Sequence, residues 1–359
     1  MRLPLDDVLG SLRVVALPMV TRFRGITVRE AALFEGPRGW TEFAPFPEYG
    51  DAEASAWLAA AIDFGWGDEP VRRRDRIPVN ATVPALPADA VAALLARFPG
   101  CRTAKVKVAE PGQRLADDIA RVRAARRALG PEGRIRIDAN AAWNVDEAEH
   151  ALRALSPADL EYAEQPCARL DELAELRERI RDLAIPIAAD ESVRRADDPL
   201  EVARAGAADL LVIKAAPLGG VARALAVVAE AGLPAVVSSA IDTSVGLGMG
   251  AALAAALPEL PYDCGLGTAA LLAGDVTDEP LLPVHGEIGV RRIQRAARRA
   301  WQRRTRSVHH VTRSASAAQR SSSAGEGTTR RTGIMPSTGR SGSSATSAAR
   351  SAAVPSPQS

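Results

Sequence analysis

Residues 103–140 read TAKVKVAEPGQRLADDIARVRAARRALGPEGRIRIDAN, and the architecture follows from this stretch. Thr103–Val108 and Arg134–Asn140 are short runs that alternate at the period of a strand. Between them, Gln113–Leu129 carries apolar residues at helical spacing. The stretch is one β–α–β unit of a parallel sheet.

The rhythm continues on both sides. Further strands are expected at Ile77–Pro84, Glu161–Pro166, Ile185–Ser192, Asp209–Ala215, Ala235–Ala240 and Pro261–Thr268. Helical stretches such as Leu170–Leu183 and Val221–Ala231 separate them. Eight such strands predict an α/β fold, a (β/α)8 or TIM-type barrel over residues 77–268. An open doubly wound sheet is the competing arrangement, but no Gly-x-Gly-x-x-Gly follows the first strand. Residues 1–76 lack the rhythm. Alternating runs at Arg13–Leu17 and Gly25–Phe34, turns at Pro37–Gly39 and an Ala-rich stretch from Ala52 to Phe64 predict a small α+β domain ahead of the barrel.

The chain has three lysines, Lys105, Lys107 and Lys214, against 42 arginines. Burial brings a lysine's pKa down until it trades protons, whereas a guanidinium stays charged. All three fall on predicted barrel strands, which points to proton transfer. Lys105 and Lys107 are two apart and face the same way, with Val106 and Val108 turned to the helices. Two inward ammoniums repel, and this is expected to lower the pKa of at least one.

Three acids sit at strand ends: Asp138 in Asp-Ala-Asn, Glu164 in Glu-Gln-Pro and Asp190 in Asp-Glu-Ser. From Lys107 through Asp138, Glu164 and Asp190 to Lys214 the steps are 31, 26, 26 and 24 residues, each about one β–α unit. The five converge on the C-terminal mouth of a barrel. Three carboxylates with no histidine or cysteine favour Mg2+ over zinc. Of the neighbours Asp190 and Glu191, the spacing selects Asp190 as the ligand. A metal flanked by lysines suits abstraction of a proton α to a carboxylate, with the charge of the enediolate held by the ion. Each acid taken alone is also an acceptable helix cap; three in register between lysines are not explained that way.

Composition bounds the rest. The 359 residues are 25% charged and 47% hydrophobic, enough to bury a core without disulfides. Three scattered cysteines form no zinc or disulfide pattern, and Asp6 and Asp7 stand where a signal peptide needs apolar residues, so a cytoplasmic location is expected. The longest apolar run, Val245–Leu257, is 13 residues and too short to span a bilayer, so no membrane partner is expected. Residues 291–359 hold 14 arginines, 14 serines and one acid, for a charge of +13; the remainder carries −12. That segment reads as a disordered basic tail, with a short helix possible over 291–306. Binding of nucleic acid through the tail is the non-enzymatic alternative; without aromatic interleaving or a folded motif, nucleic acid is not expected as a partner. The patterns carry no signature of oligomeric state.

Lys-x-Lys on the second strand, Asp-x-Asn on the third, Glu-Gln-Pro on the fourth, Asp-Glu on the fifth and Lys on the sixth resemble the muconate-lactonizing subgroup of the enolase superfamily. Residues 10–290 share the likeness. Pro-Val-Asn-Ala-Thr-Val-Pro (78–84), Arg-Ile-Arg-Ile-Asp-Ala-Asn (134–140) and Val-Val-Ser-Ser-Ala-Ile-Asp-Thr-Ser-Val-Gly (236–246) bring the chain nearest to the o-succinylbenzoate synthase family of actinobacterial type.

The resemblance implies a capping domain (1–76) over a modified barrel (77–268), a return segment to the cap (269–290) and the tail (291–359). It implies cap loops at Met19–Gly25, with Arg22 and Arg24, and at Phe46–Tyr49 that close on a small-molecule substrate. It implies a hydro-lyase of menaquinone biosynthesis that converts 2-succinyl-6-hydroxy-2,4-cyclohexadiene-1-carboxylate to 2-succinylbenzoate by syn dehydration. Lys107 is then the base, Asp138, Glu164 and Asp190 hold Mg2+, and Lys214 stands on the opposite face. Lys105 assists Lys107, Arg136 points inward one layer deeper toward substrate or ligands, and Ser238 and Ser239 serve the succinyl chain. N-acylamino-acid racemisation, dipeptide epimerisation and muconate cycloisomerisation are alternatives on the same scaffold.

Overall fold

The computed structural model describes residues 5–194 and 198–294. A short helix, Leu5–Ser11, precedes an antiparallel sheet of β1 (Arg13–Phe23), β2 (Ile26–Gly36) and β3 (Gly39–Phe43). Strict alternation along β1 and β2 buries Val15, Leu17, Ala31 and Leu33 on one face. The helix Asp51–Trp66 packs beside this sheet and buries Trp57, Ala60, Ala61 and Phe64.

The barrel follows. Its strands are β5 (Ala81–Val83), β6 (Thr103–Lys107), β7 (Arg134–Asp138), β8 (Leu160–Glu164), β9 (Ile187–Ala189), β10 (Leu210–Ile213) and β11 (Ala235–Val237), after β4 (Arg76–Pro78). β5 to β11 lie side by side in chain order, all parallel. Their outward residues, including Val106, Ile135 and Ile137, pack under the helices, while Tyr162, Ala188, Leu210, Val212 and Val236 fill the interior.

Two of the expected strands take another form. Ile77–Pro84 is divided at Asn80: β4 pairs antiparallel with β12 (Glu287–Gly289), and Ala81–Val83 forms the barrel strand, with Val79 adding a single bridge. The Asn80 side chain donates to the Ala81 carbonyl, a local bond that competes with the ladder. Pro261–Thr268 shrinks to two parallel bridges, Cys264 with Val79 and Gly265 with Ser238. Those bridges close the barrel, with Cys264 N donating to Pro78 O at 2.7 Å and Gly265 N to Val237 O at 2.8 Å. A side chain at Gly265 would put its Cβ 2.6 Å from Ser238 Oγ, so closure at this point needs glycine.

After the barrel, Ala273 N donates to Pro18 O, and Leu272 and Val276 join the apolar cluster beneath β1 and β2. The basic segment beginning at Arg291 is not all surplus chain. Residues 291–294 run extended along the N-terminal domain; Trp40 N donates to Ile293 O at 3.1 Å, and Ile293 is buried. Arg292 lies 3.8 Å from the Phe64 ring centroid. Ile293 supplies the apolar contact that composition alone concealed. The helix considered over 291–306 is absent from its first four residues; the remainder of the basic segment lies outside the described residues. No helix among the described residues is long and apolar enough to cross a membrane.

Candidate active site

Sheet register sets the site. Lys107 pairs with Asp138, and Asp138 with Glu164, across three adjacent strands. Asp190 follows the last residue of β9, and Lys214 the last of β10. All five side chains are buried at the C-terminal end of the barrel. Lys105 Nζ bridges two carboxylates, at 2.8 and 3.0 Å from the oxygens of Glu164 and 3.0 Å from Asp138 Oδ2. Lys107 Nζ lies 2.5 Å from Asp138 Oδ2 and 2.5 Å from Asn140 Oδ1. Lys214 Nζ lies 2.5 Å from Asp190 Oδ2.

These contacts decide the charges. Burial works to lower the pKa of Lys105, but the carboxylates of Glu164 and Asp138 outweigh it and hold the group well above its usual value. The repulsion expected from Lys107 therefore does not lower Lys105. Lys214 is lowered, by burial first and then by the cations of Arg194 and Lys105, against the pull of Asp190. Burial disfavours the Asp138 carboxylate, yet Lys107 and Lys105 keep it far below the ordinary range. Asp190, buried too, is drawn down to about 2 by Arg194, Lys214 and Lys105. Glu164 goes the other way, to about 8, because burial and the neighbouring Asp138 and Asp190 penalise its charge more than Lys105 relieves it.

Among the described residues, no three histidine, cysteine or acidic side chains stand as a ready-made metal cluster. Ammonium groups occupy the spaces between the carboxylates instead. The donor set nevertheless suits a hard cation: three buried carboxylates from adjacent strands, one of them, Glu164, pushed up to about 8 by burial and by the repulsion of its acidic neighbours. A divalent ion would relieve that repulsion, with Lys105 giving way.

The N-terminal domain roofs the mouth. Phe23, Arg24 and Phe46 line one chamber with Lys107, Asp138, Asp190 and Lys214. The chamber has about 30 Å³ of free space, room for a couple of water molecules. Phe23, Arg24, Lys107 and Asn140 also border a roomier cavity of about 250 Å³ on the side of Arg22 and Gln113. The segment expected as a loop at Met19–Gly25 is mostly the end of β1, turning at Arg24 (φ 50°). Arg24 stacks 4.3 Å from the Phe46 centroid and pairs with Glu48 at 3.2 Å, tying the two cap segments together.

Arg136 is a correction. It lies fully buried in the layer of Lys105, its partner in the sheet register and one layer below Lys107 and Asp138, where it bonds Glu161, Asn80 Oδ1 at 3.2 Å and the Asp263 carbonyl at 2.6 Å. Its guanidinium packs against Tyr162 and Tyr262. Two residues back along a strand is about 7 Å deeper, and Arg136 fills the barrel floor without touching the chamber. Ser238 and Ser239 do line the chamber, but the Ser239 hydroxyl is already given to the Gly265 carbonyl at 2.7 Å.

Other residues of the site went unassigned in the sequence. Arg194 donates to Asp190 Oδ1 at 3.0 Å, to Glu191 Oε1 at 2.5 Å and to the Tyr49 hydroxyl. Its position four after Asp190 was a readable signal. Asn140 stood in the quoted Asp-Ala-Asn and also reaches Glu191 at 3.2 Å. Glu42, by contrast, gave none. From β3 it crosses to the helix Ser244–Ala256 and accepts from Thr243 N and Gly246 N at 3.2 Å each and from the Thr243 hydroxyl. Side-chain oxygens suit the free N–H groups of a helix N-terminus, and a Cβ at Gly246 would stand 2.9 Å from Glu42 Oε1.

Residues 88–294 match the enolase C-terminal domain-like family and residues 14–65 the enolase N-terminal domain-like family. The structure resembles a muconate lactonizing enzyme from Pseudomonas fluorescens, with a TM-score of 0.69 at 21% identity over 81% of this chain and 96% of that one. It also resembles 2-chloromuconate cycloisomerase from Rhodococcus opacus 1CP, with a TM-score of 0.67 at 25% identity over 78% and 93%. Among curated relatives, the o-succinylbenzoate synthase of Thermobifida fusca is 57% identical over 304 residues, 81% of this chain and 94% of the relative. That of Mycolicibacterium smegmatis is 58% identical over 287 residues, 80% and 87%. With a roofed barrel, a lysine-carboxylate layer at its mouth and this degree of identity, the chain belongs to the o-succinylbenzoate synthase family of the enolase superfamily.

Proposed function

We propose that this chain converts 2-succinyl-6-hydroxy-2,4-cyclohexadiene-1-carboxylate to 2-succinylbenzoate. The observation that carries the reading is the register layer of Lys107, Asp138 and Glu164, completed by Asp190 and Lys214, in a chain 57% identical to an o-succinylbenzoate synthase. Lys107 removes the proton α to the ring carboxylate, and the electron pair of that C–H bond moves into the carboxylate. The resulting ammonium returns its proton to the hydroxyl leaving from the adjacent carbon on the same face. Water departs, the ring double bond forms, and the product is aromatic.

Asp138 and Asn140 fix the Lys107 ammonium through two short contacts. Asp138, Glu164 and Asp190 would hold Mg2+, which supplies positive charge where the substrate carboxylate gains negative charge. Lys214, four strands round the barrel, faces the anionic intermediate from the other side. Phe23 and Phe46 exclude water. Because the chamber holds only a few waters, the tip at Arg24 must withdraw from Phe46 and Glu48 to admit the ring.

The test is loss of the diene absorbance on adding the protein with Mg2+, beside Lys107→Ala. Rapid loss that is absent in the variant supports the reading; no turnover by folded, metal-loaded protein overturns it. The lowered pKa of Lys214 favours a second reading, N-acylamino-acid racemisation, in which both lysines carry protons. Solvent deuterium entering both enantiomers of an N-acylamino acid would reveal it.

A further inference from the structure

The chain turns sharply after Lys107, and Ala109 is left-handed at φ 58°. On one side the sheet has already ended: β5 stops at Val83 opposite Val106, and Pro84, which follows, has no N–H to donate. A side chain holds this edge. Arg121, buried in the helix Leu115–Leu129, donates Nη1 to the Lys107 carbonyl and Nε to the Leu86 carbonyl, each at 2.8 Å. Its Nη1 also meets Asp118 Oδ1 at 2.7 Å, and Asp118 Oδ2 accepts the Ala109 N–H at 3.0 Å. Nη2 reaches Gln113 at the rim of the cavity that Lys107 shares. One buried ion pair thus grips the residue that bears the base and the residue two beyond it.

We propose, building on the function above, that Arg121 is a positioning residue for proton abstraction, acting through the main chain of Lys107 with Asp118 as its partner. A buried ion pair is weak evidence for a stability role, since apolar residues fill such space as well. What the planar fork adds is a fixed spacing between carbonyls. The Lys107 Nζ rides on a four-carbon stem from that main chain, and an error of about 1 Å at a reacting atom costs about a hundredfold in rate. Lysine at position 121 keeps the charge beside Asp118 but cannot span the two carbonyls.

The test compares R121K with R126K. Arg126 lies on the same helix and bonds the Ala158 carbonyl at 3.1 and 2.9 Å, away from Lys107. R121K should lower kcat about 10- to 100-fold with KM held within about threefold. R126K should lower Tm comparably and leave kcat within about twofold. D118N, which preserves volume, should reproduce the R121K pattern more mildly, about 3- to 10-fold in kcat, and serves if R121K does not fold. A kcat in R121K or D118N no lower than in R126K at matched Tm overturns the proposal, as does an effect on KM alone. If the unaltered chain itself turns over no diene substrate, the functional reading fails and the proposal with it; normal turnover with insensitive variants overturns the proposal alone.

Discussion

Lys105→Met removes the ammonium that bridges Glu164 and Asp138 while nearly preserving its length. The lysine side chain is about nine-tenths buried, and both acids are buried completely. Breaking a buried pair costs about 3–5 kcal/mol because the remaining charge has no partner. Two features set the position within that range. Asp138 keeps Lys107 at 2.5 Å. Glu164, already raised to about 8 by burial and its acidic neighbours, is mostly protonated at neutral pH, so losing Lys105 strands little charge there. The loss at neutral pH without divalent ions should therefore lie near about 3 kcal/mol. Mg2+ changes the comparison. At a hundred times Kd a ligand of the folded state stabilises by about 2.7 kcal/mol. In the unaltered chain the ion must displace an ammonium; in the variant it enters vacated space. Urea unfolding of both proteins, in chelator and in Mg2+, measures the four stabilities. Magnesium should stabilise Lys105→Met more than the unaltered chain. A variant as stable as its parent in chelator, or a larger magnesium effect in the parent, would refute the reasoning.

Burial and Asp242 push Glu42 up to about 8 from its usual 4.5, so the folded state keeps a proton there that the unfolded chain releases, and stability falls as pH rises between those values, by at most about 1.4 kcal/mol per pH unit. Glu42→Gln should flatten that decline in urea unfolding from pH 5 to 8, and parallel slopes for the two proteins would count against it. Arg136→Met should cost about 1.5–3 kcal/mol, since Glu161 is partly exposed and keeps Arg134 at 3.6 Å while Asn80 and the Asp263 carbonyl lose their donor, with KM unchanged; a several-fold rise in KM at unchanged stability would restore Arg136 to the substrate. Ile293→Ala should cost about 2–4 kcal/mol in thermal or chemical unfolding, because Ile293 is buried in the apolar cluster beneath β1 and β2.

Much of the mouth was legible because a parallel sheet converts spacing in sequence into position in space. One residue type at each strand end, about 25 residues apart, is enough to place Lys107, Asp138 and Glu164 in one layer. What failed was partners and closure. Period-two alternation puts Arg136 inward and one layer deeper, but does not say that Glu161, Asn80 and the Asp263 carbonyl take up its guanidinium there. Pro261–Thr268 had the composition of a strand, while the close approach of Gly265 to Ser238 left it only two bridges. Glu42 and Thr243 are 201 residues apart and belong to different periodic patterns, so no local signal joins them. The chemistry of residues 291–294 was hidden by its surroundings, since one isoleucine hardly shifts the average of an arginine-rich stretch.

The plug formed by Arg136, Tyr162 and Tyr262 closes the floor of the barrel among the described residues. Whatever enters past the tip at Arg24 meets a closed floor beneath it. The aromatic product has to vacate that mouth before another diene arrives, so product and substrate compete for the same space.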